Sequence, residues 1–192
     1  VRYFPSGTIV FSGGADLSAQ VTRTLDGFIG ASLIGHQARV QDGCFIGRGR
    51  NLFTAGKDGM GILWECSTKK SVASFRCGGD PVSCCVCLDG ISNGVWTKED
   101  LGLVVGDPSL HFETEGALVC LGTDHGNIES YRMHDGCCIM SIEVGSFVLG
   151  MCHLGGRQVA CVTGSGEIMI IDCKDGIQRR RYLSASPISC IE

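Results

Sequence analysis

Short apolar runs of β-rich composition, each bounded by turn residues, recur along the chain. The clearest set reads Arg39-Val40 through Cys44-Phe45-Ile46, then Asn51 to Ala55, Gly61 to Glu65, and Ser71 to Phe75. Between them lie Gly47-Arg48-Gly49-Arg50, Lys57-Asp58-Gly59-Met60 and Ser67-Thr68-Lys69-Lys70. Glycine supplies the positive φ such turns need, and aspartate can bond its own backbone two residues on. The pattern therefore predicts four short strands and three tight turns. A second set follows in Pro81 to Cys87, Ala117 to Leu121, Ile128 to Tyr131 and Cys138 to Ile142. A third follows in Phe147 to Cys152, Gln158 to Val162, Ile168 to Asp172 and Ile177 to Leu183. Val1 to Phe4 reads as the tail of an opening strand, and Pro187 to Glu192 as the start of another set.

The sets keep a fixed period. Asp16 to Asp58 is 58 − 16 = 42 residues, and Gly126 to Gly166 is 166 − 126 = 40. Both match the roughly 40–45 residues of a propeller blade. Gly59 to Gly126 is 67, so an excess of 67 − 42 = 25 residues falls in 89–116, where Gly, Asn, Asp and Pro collect. One period also carries a near-complete signature: Gly35-His36, then Thr54-Ala55-Gly56-Lys57-Asp58-Gly59, then Trp64-Glu65. This is a blade of a WD-repeat β-propeller. The expected fold is all-β, with about four blades of a seven-bladed propeller. The blades span 1–34 (partial), 35–77, 78–144 with the insertion, and 145–186, with a further one opening at 187–192. A closed ring of seven would need about 300 residues at this period, so the chain reads as a fragment of a longer protein. Blades bury their faces only against neighbours, and such a fragment alone is expected to be marginal.

Composition narrows the function classes. A formal net charge of −4 argues against nucleic acid as partner, because phosphate binding ordinarily leaves a basic stripe. No run approaches the ~18 apolar residues of a membrane span, and the start does not resemble a signal peptide. The 13 cysteines are the compositional oddity. Most sit inside strand runs, where a free thiol behaves as a small buried hydrophobe, so core packing in a reducing cytosol is expected. A zinc site would need paired ligands sharing one face. Strand alternation instead puts Cys85 and Cys87 on one face and Cys84 on the other. Neither metal, cofactor, small-molecule substrate nor an extracellular disulfide framework is expected.

His36, Thr54, Asp58 and Trp64 form the obvious polar constellation. It resembles the inventory of a catalytic triad, but the blade accounts for each member, since buried polar groups require such partners. The expected role is a structural hydrogen-bond network. Glycine-rich Gly47 to Arg50 and Gly122 to Gly126 lack the strand-to-helix context of a phosphate loop and read as blade turns. Arg179, Arg180 and Arg181 fall on an outermost strand, where charge blunts an exposed edge. On one face the turns would gather Gln37, Arg39, Lys57, Asp80, Asp16, His125, Ser146 and Ser165. Of these, Arg39, Lys57, Asp80 and His125 are the candidate partner-binding residues. The opposite face would carry Arg48, Arg50, Arg157 and the insertion, with Trp96, Lys98, Glu99 and Asp100.

Several stretches resemble the proteasomal ATPase-associated factor family: Val1 to Gly7, Phe11 to Asp16, Gly35-His36, Gly47 to Asn51, Lys57-Asp58-Gly59, Leu63 to Cys66, and Leu121 to Ile128. The likeness implies a non-enzymatic WD-repeat chaperone. Such a protein binds ATPase subunits of the proteasome regulatory-particle base and holds assembly intermediates apart from the proteolytic core. The chain departs from the pattern at Val21-Thr22, where an aromatic-acid pair is usual, at Trp64-Glu65 and at Tyr131-Arg132. The alternative is a general WD scaffold, such as a ubiquitin-ligase substrate receptor or a ribosome-biogenesis factor. The resemblance implies protein partners and a cytoplasmic location, with the nucleus as a second compartment.

Overall fold

The computed structural model describes residues 1–183 except Pro5, Arg48, 90–113, Glu115, His134, Lys174 and Ile177. The candidate insertion residues Trp96, Lys98, Glu99 and Asp100, together with Arg48 and the run 187–192, lie outside the described residues. The first sheet comprises β1 (Arg2–Tyr3), β2 (Ile9–Gly13), β3 (Ser18–Arg23) and β4 (Ile29–Ile34). The second comprises β5 (Val40–Ile46), β6 (Asn51–Gly56), β7 (Met60–Glu65) and β8 (Lys70–Arg76). The third comprises β9 (Val82–Asp89), β10 (Ala117–Thr123), β11 (Asn127–Arg132) and β12 (Cys138–Glu143). The fourth comprises β13 (Val148–Gly155), β14 (Gln158–Thr163), β15 (Glu167–Asp172) and β16 (Gln178–Leu183). Each is an antiparallel meander in which consecutive strands pair. This is the all-β blade architecture that the strand runs and their period predict. Arg179, Arg180 and Arg181 lie on β16, the last strand of its sheet.

The central turn of each sheet shows why the period is legible. Gly59, Gly126 and Gly166 adopt φ of 71°, 86° and 82°, and their amides donate to the carbonyls of Gly56, Thr123 and Thr163. The first sheet places Leu17 at this position with φ 65°, a conformation that costs a residue with a Cβ about 1–2 kcal/mol.

The core lies between sheets rather than within them. Phe11, Leu33, Val40, Leu52 and Trp64 fill the seam between the first and second. Phe53, Phe75, Val119, Leu121 and Met133 fill the next, and Leu118, Cys120, Val148, Met151 and Cys161 the last. Strand β10 makes the principle plain. Alternate side chains point to opposite faces, so Leu118 and Cys120 enter one seam while Val119 and Leu121 enter the other, and all seven residues of the strand are buried. That is why β10 reads as a continuous apolar run. The cysteines obey the same alternation: Cys84 packs toward the fourth sheet, Cys85 and Cys87 toward the second. Among the described residues, no helix is long and apolar enough to cross a membrane.

Candidate functional site

The four residues of the blade signature meet. Asp58, on the β6–β7 turn, lies with Oδ2 2.9 Å from His36 Nδ1. His36 Nε2 lies 2.9 Å from Thr54 Oγ1, and Trp64 Nε1 donates to the same oxygen at 2.8 Å. A carboxylate only accepts, so Nδ1 carries a proton toward Asp58. In the neutral ring Nε2 is then an acceptor. The chain of donors thus runs from the Trp64 indole to the Thr54 hydroxyl to His36, and from His36 to Asp58. Thr54 is fully buried, and Trp64 and His36 are nearly so.

Burial disfavours charge on Asp58, but hydrogen bonds from Gln37 N, His36 and Met60 N outweigh it and hold the carboxyl below its ordinary pKa. Local sequence makes room for these contacts. A Cβ on Gly56 would sit 2.7 Å from both Asp58 Oδ1 and His36 Nδ1, and one on Gly35 would sit 2.8 Å from Trp64 Cη2. The glycines beside the signature residues are therefore part of it.

Aligned on the turn glycine, the third sheet has Leu121, His125 and Tyr131 at the positions of Thr54, Asp58 and Trp64. The fourth has Cys161, Ser165 and Ile171. Neither can build the same chain of donors. In the third sheet Tyr131 Oη donates to Glu129 Oε2 at 2.5 Å within the core. Burial and the Glu129 carboxylate both push the Tyr131 pKa upward.

The candidate partner-binding residues divide. Lys57 Nζ lies 2.6 Å from Asp124 Oδ1, joining the central turns of the second and third sheets. Asp80 Oδ1 is 2.9 Å from His125 Nδ1, and Asn127 Nδ2 donates to Asp80 Oδ2 at 2.9 Å. The His125 and Asn127 hydrogen bonds hold Asp80 below its ordinary pKa. Lys57, Asp80 and His125 thus belong to one charged strip across two blades. Arg39 is exposed in the loop before β5, where its carbonyl accepts from Lys57 N at 2.9 Å. Asp124 completes the strip, and its place in the turn is the sequence signal for it. It stands two residues before its turn glycine, as Lys57 does, with the opposite charge. On the fourth sheet Arg157 pairs with Asp172 at 3.2 Å.

A second polar centre lies where the first strands of the sheets approach. Asp42, on β5, accepts from Arg2 Nε at 3.1 Å and Nη2 at 3.0 Å. It also accepts from Cys85 N at 3.0 Å. Three sheets therefore share one carboxylate, and its hydrogen bonds and charge raise the pKa of Arg2. No local motif announces it, because the partners come from residues 2, 42 and 85. Among the described residues, no group of three His, Cys, Asp or Glu side chains could hold a metal ion.

Comparison with known proteins gives the same architecture and a relative in sequence. A scan against models of known protein families finds no match. The crystal structure of the WD40 β-propeller domain of Doa1 superposes on 96% of this chain with a TM-score of 0.72 at 20% identity. The computationally designed protein Ika8 gives the same TM-score at 17% identity, also over 96% of the chain. The chain covers 54% of the Doa1 domain and 49% of Ika8, about half of each. In sequence, 76 residues are 37% identical to the 26S proteasome regulatory subunit RPN14 of Saccharomyces cerevisiae, a stretch that is 40% of this chain and 18% of the yeast protein. The chain thus has the WD40 β-propeller fold and, over 40% of its length, sequence similarity to a yeast 26S proteasome regulatory subunit.

Proposed function

We propose that this protein is a non-enzymatic scaffold of proteasome regulatory-particle assembly, binding ATPase subunits of the base through the turns on one face of its blades. The observation that carries the reading is the 37% identity to yeast RPN14 over 76 residues, which agrees with the family-like stretches in the sequence. The geometry supports binding rather than chemistry. The His36–Thr54–Trp64 network is closed and buried, with its donors and acceptors used internally, while the charged strip lies at the turns. Arg39, Lys57, Asp80 and His125 form the contact surface in this proposal, and the protein acts in the cytoplasm and nucleus. The experiment is affinity purification of the full-length protein from cells, scored for the regulatory-particle ATPase subunits. Recovery of one or more, reduced by Arg39→Glu or His125→Glu without loss of folding, is the expected result. Failure to recover any regulatory-particle subunit overturns it, and recovery of a ubiquitin-ligase adaptor alone would favour a general WD scaffold.

A further inference from the structure

The seam between the third and fourth sheets holds a thiol pair that the proposed binding function does not use. Cys120 Sγ lies 3.3 Å from Cys173 Sγ, across a sequence separation of 53 residues. Cys120 sits in the middle of β10, and Cys173 immediately follows β15. Both residues are buried, at 0% and 1% exposure, in the cluster that joins the two sheets. The Cys173 backbone is held from both sides, its amide donating to Arg157 O at 2.9 Å and its carbonyl accepting from Ser130 Oγ at 3.0 Å. Closing 3.3 Å to a disulfide bond of about 2.05 Å requires an approach of about 1.3 Å.

We propose that Cys120 and Cys173 are a modification site: an oxidisable pair that forms a disulfide and covalently joins the third and fourth blades. The oxidant is a small neutral peroxide, since the pair is enclosed by apolar side chains. One thiolate attacks the peroxide oxygen, breaking the O–O bond to give a sulfenic acid and hydroxide, which takes up the proton released by that thiol. The second sulfur then displaces water from the sulfenic acid, forming the S–S bond. In sum, two thiols and one hydrogen peroxide give one disulfide and two waters. The contact with Cys173 and burial both hold the Cys120 thiol well above its ordinary pKa. Because the thiolate is the nucleophile, the pair responds more slowly than the exposed Cys137 and Cys138. It is a staple set by sustained oxidation, not a rapid sensor.

The test is peptide mapping of the full-length protein after hydrogen peroxide treatment, with free thiols alkylated upon unfolding. Trypsin with Glu-C separates Cys161 from Cys173 at Glu167. The expected product is a Cys120–Cys173 cross-linked peptide, lighter than its two parts by two hydrogens and released by dithiothreitol. Oxidation should also raise the Tm of the wild type and leave that of Cys173→Ala unchanged. Should the variant fail to fold, the map of the wild type still decides. The proposal is overturned if both thiols alkylate fully after Cys137 and Cys138 are oxidised, or if Cys120 is found joined to another cysteine.

Discussion

Replacing Thr54 by valine keeps the shape of the side chain and removes only its hydroxyl, so it isolates the centre of the buried network. Two groups lose their partner: the Trp64 Nε1 donor at 2.8 Å and His36 Nε2 at 2.9 Å. Water cannot replace the hydroxyl without opening the seam, because Thr54 is 0%, Trp64 3% and His36 5% exposed. Each buried polar group left unsatisfied costs about 1–3 kcal/mol, giving about 2–6 kcal/mol for Thr54→Val. Thr54→Ser keeps the hydroxyl and deletes one methyl, at about 1 kcal/mol. Urea unfolding of the full-length protein followed by circular dichroism separates the two. With a urea m-value of about 3 kcal/mol/M, the valine variant should lose about 1 M in midpoint and the serine variant about a third of that. In a Trp64→Phe background the indole donor is absent, and the further cost of Thr54→Val should fall by about 1–2 kcal/mol. Equal losses for serine and valine would refute the reasoning, because the methyl and not the hydroxyl would then carry the effect.

Leu17→Gly should stabilise the full-length protein by about 1 kcal/mol, since Leu17 holds φ 65° where the other three central turns have glycine; a higher thermal midpoint checks it. Gly61→Ala should cost about 1–3 kcal/mol by overpacking, because its Cβ would lie 2.3 Å from Phe53 Cζ and Phe53 is held in a 6.0 Å ring stack with Phe75; the loss should appear in urea midpoints. The pKa of Asp58 is lower in the fold than its ordinary 3.8, so its contribution is fully present above that value and drains as pH falls through the folded pKa. Asp58→Asn should therefore be less stable than wild type at pH 7 and converge with it below pH 3.8, as followed by acid unfolding; a gap that stays constant from pH 7 to pH 2 would contradict the carboxylate's role.

The fold was legible because its signals are local and repeated. Strand alternation, turn chemistry and the spacing of Gly59, Gly126 and Gly166 each recur with the blade, so errors in one copy are corrected by the next. Structural boundaries move by a residue or so where pairing continues past the last apolar side chain, as at Thr123 on β10, which pairs with Val82 beyond a bulge. His36, Thr54, Asp58 and Trp64 were legible for the same reason. The Arg2–Asp42–Cys85 centre was not, since it joins three sheets through residues with no shared spacing. The charged strip stood between these cases. Lys57, Asp80 and His125 could be placed on one face by their turns. Their partners depend on which turns become neighbours around the arc, and that is decided by packing between blades.

Polar contacts cross each seam between neighbouring sheets, and the blade with the full signature adds its own. His36 lies between β4 and β5, so its bond to Asp58 ties the connection leaving the first sheet to the turn of the second. Gln37 N adds a second tie to the same carboxylate at 2.8 Å. The later seams are crossed by other means. Ser83 Oγ lies 2.9 Å from Gly122 O and 2.6 Å from Val148 O, spanning the third and fourth sheets, and Asp42 spans the second and third through Cys85 N. At these seams the position of the signature threonine holds Leu121 or Cys161, both fully buried, which pack apolar surface into the seam. Among the residues that replace the signature, Leu121, Cys161, Tyr131 and Ile171 are buried in the seams, while His125 and Ser165 at the position of Asp58 stay exposed. Loss of the motif does not imply loss of the blade, because the fastening has moved from one turn to the seam.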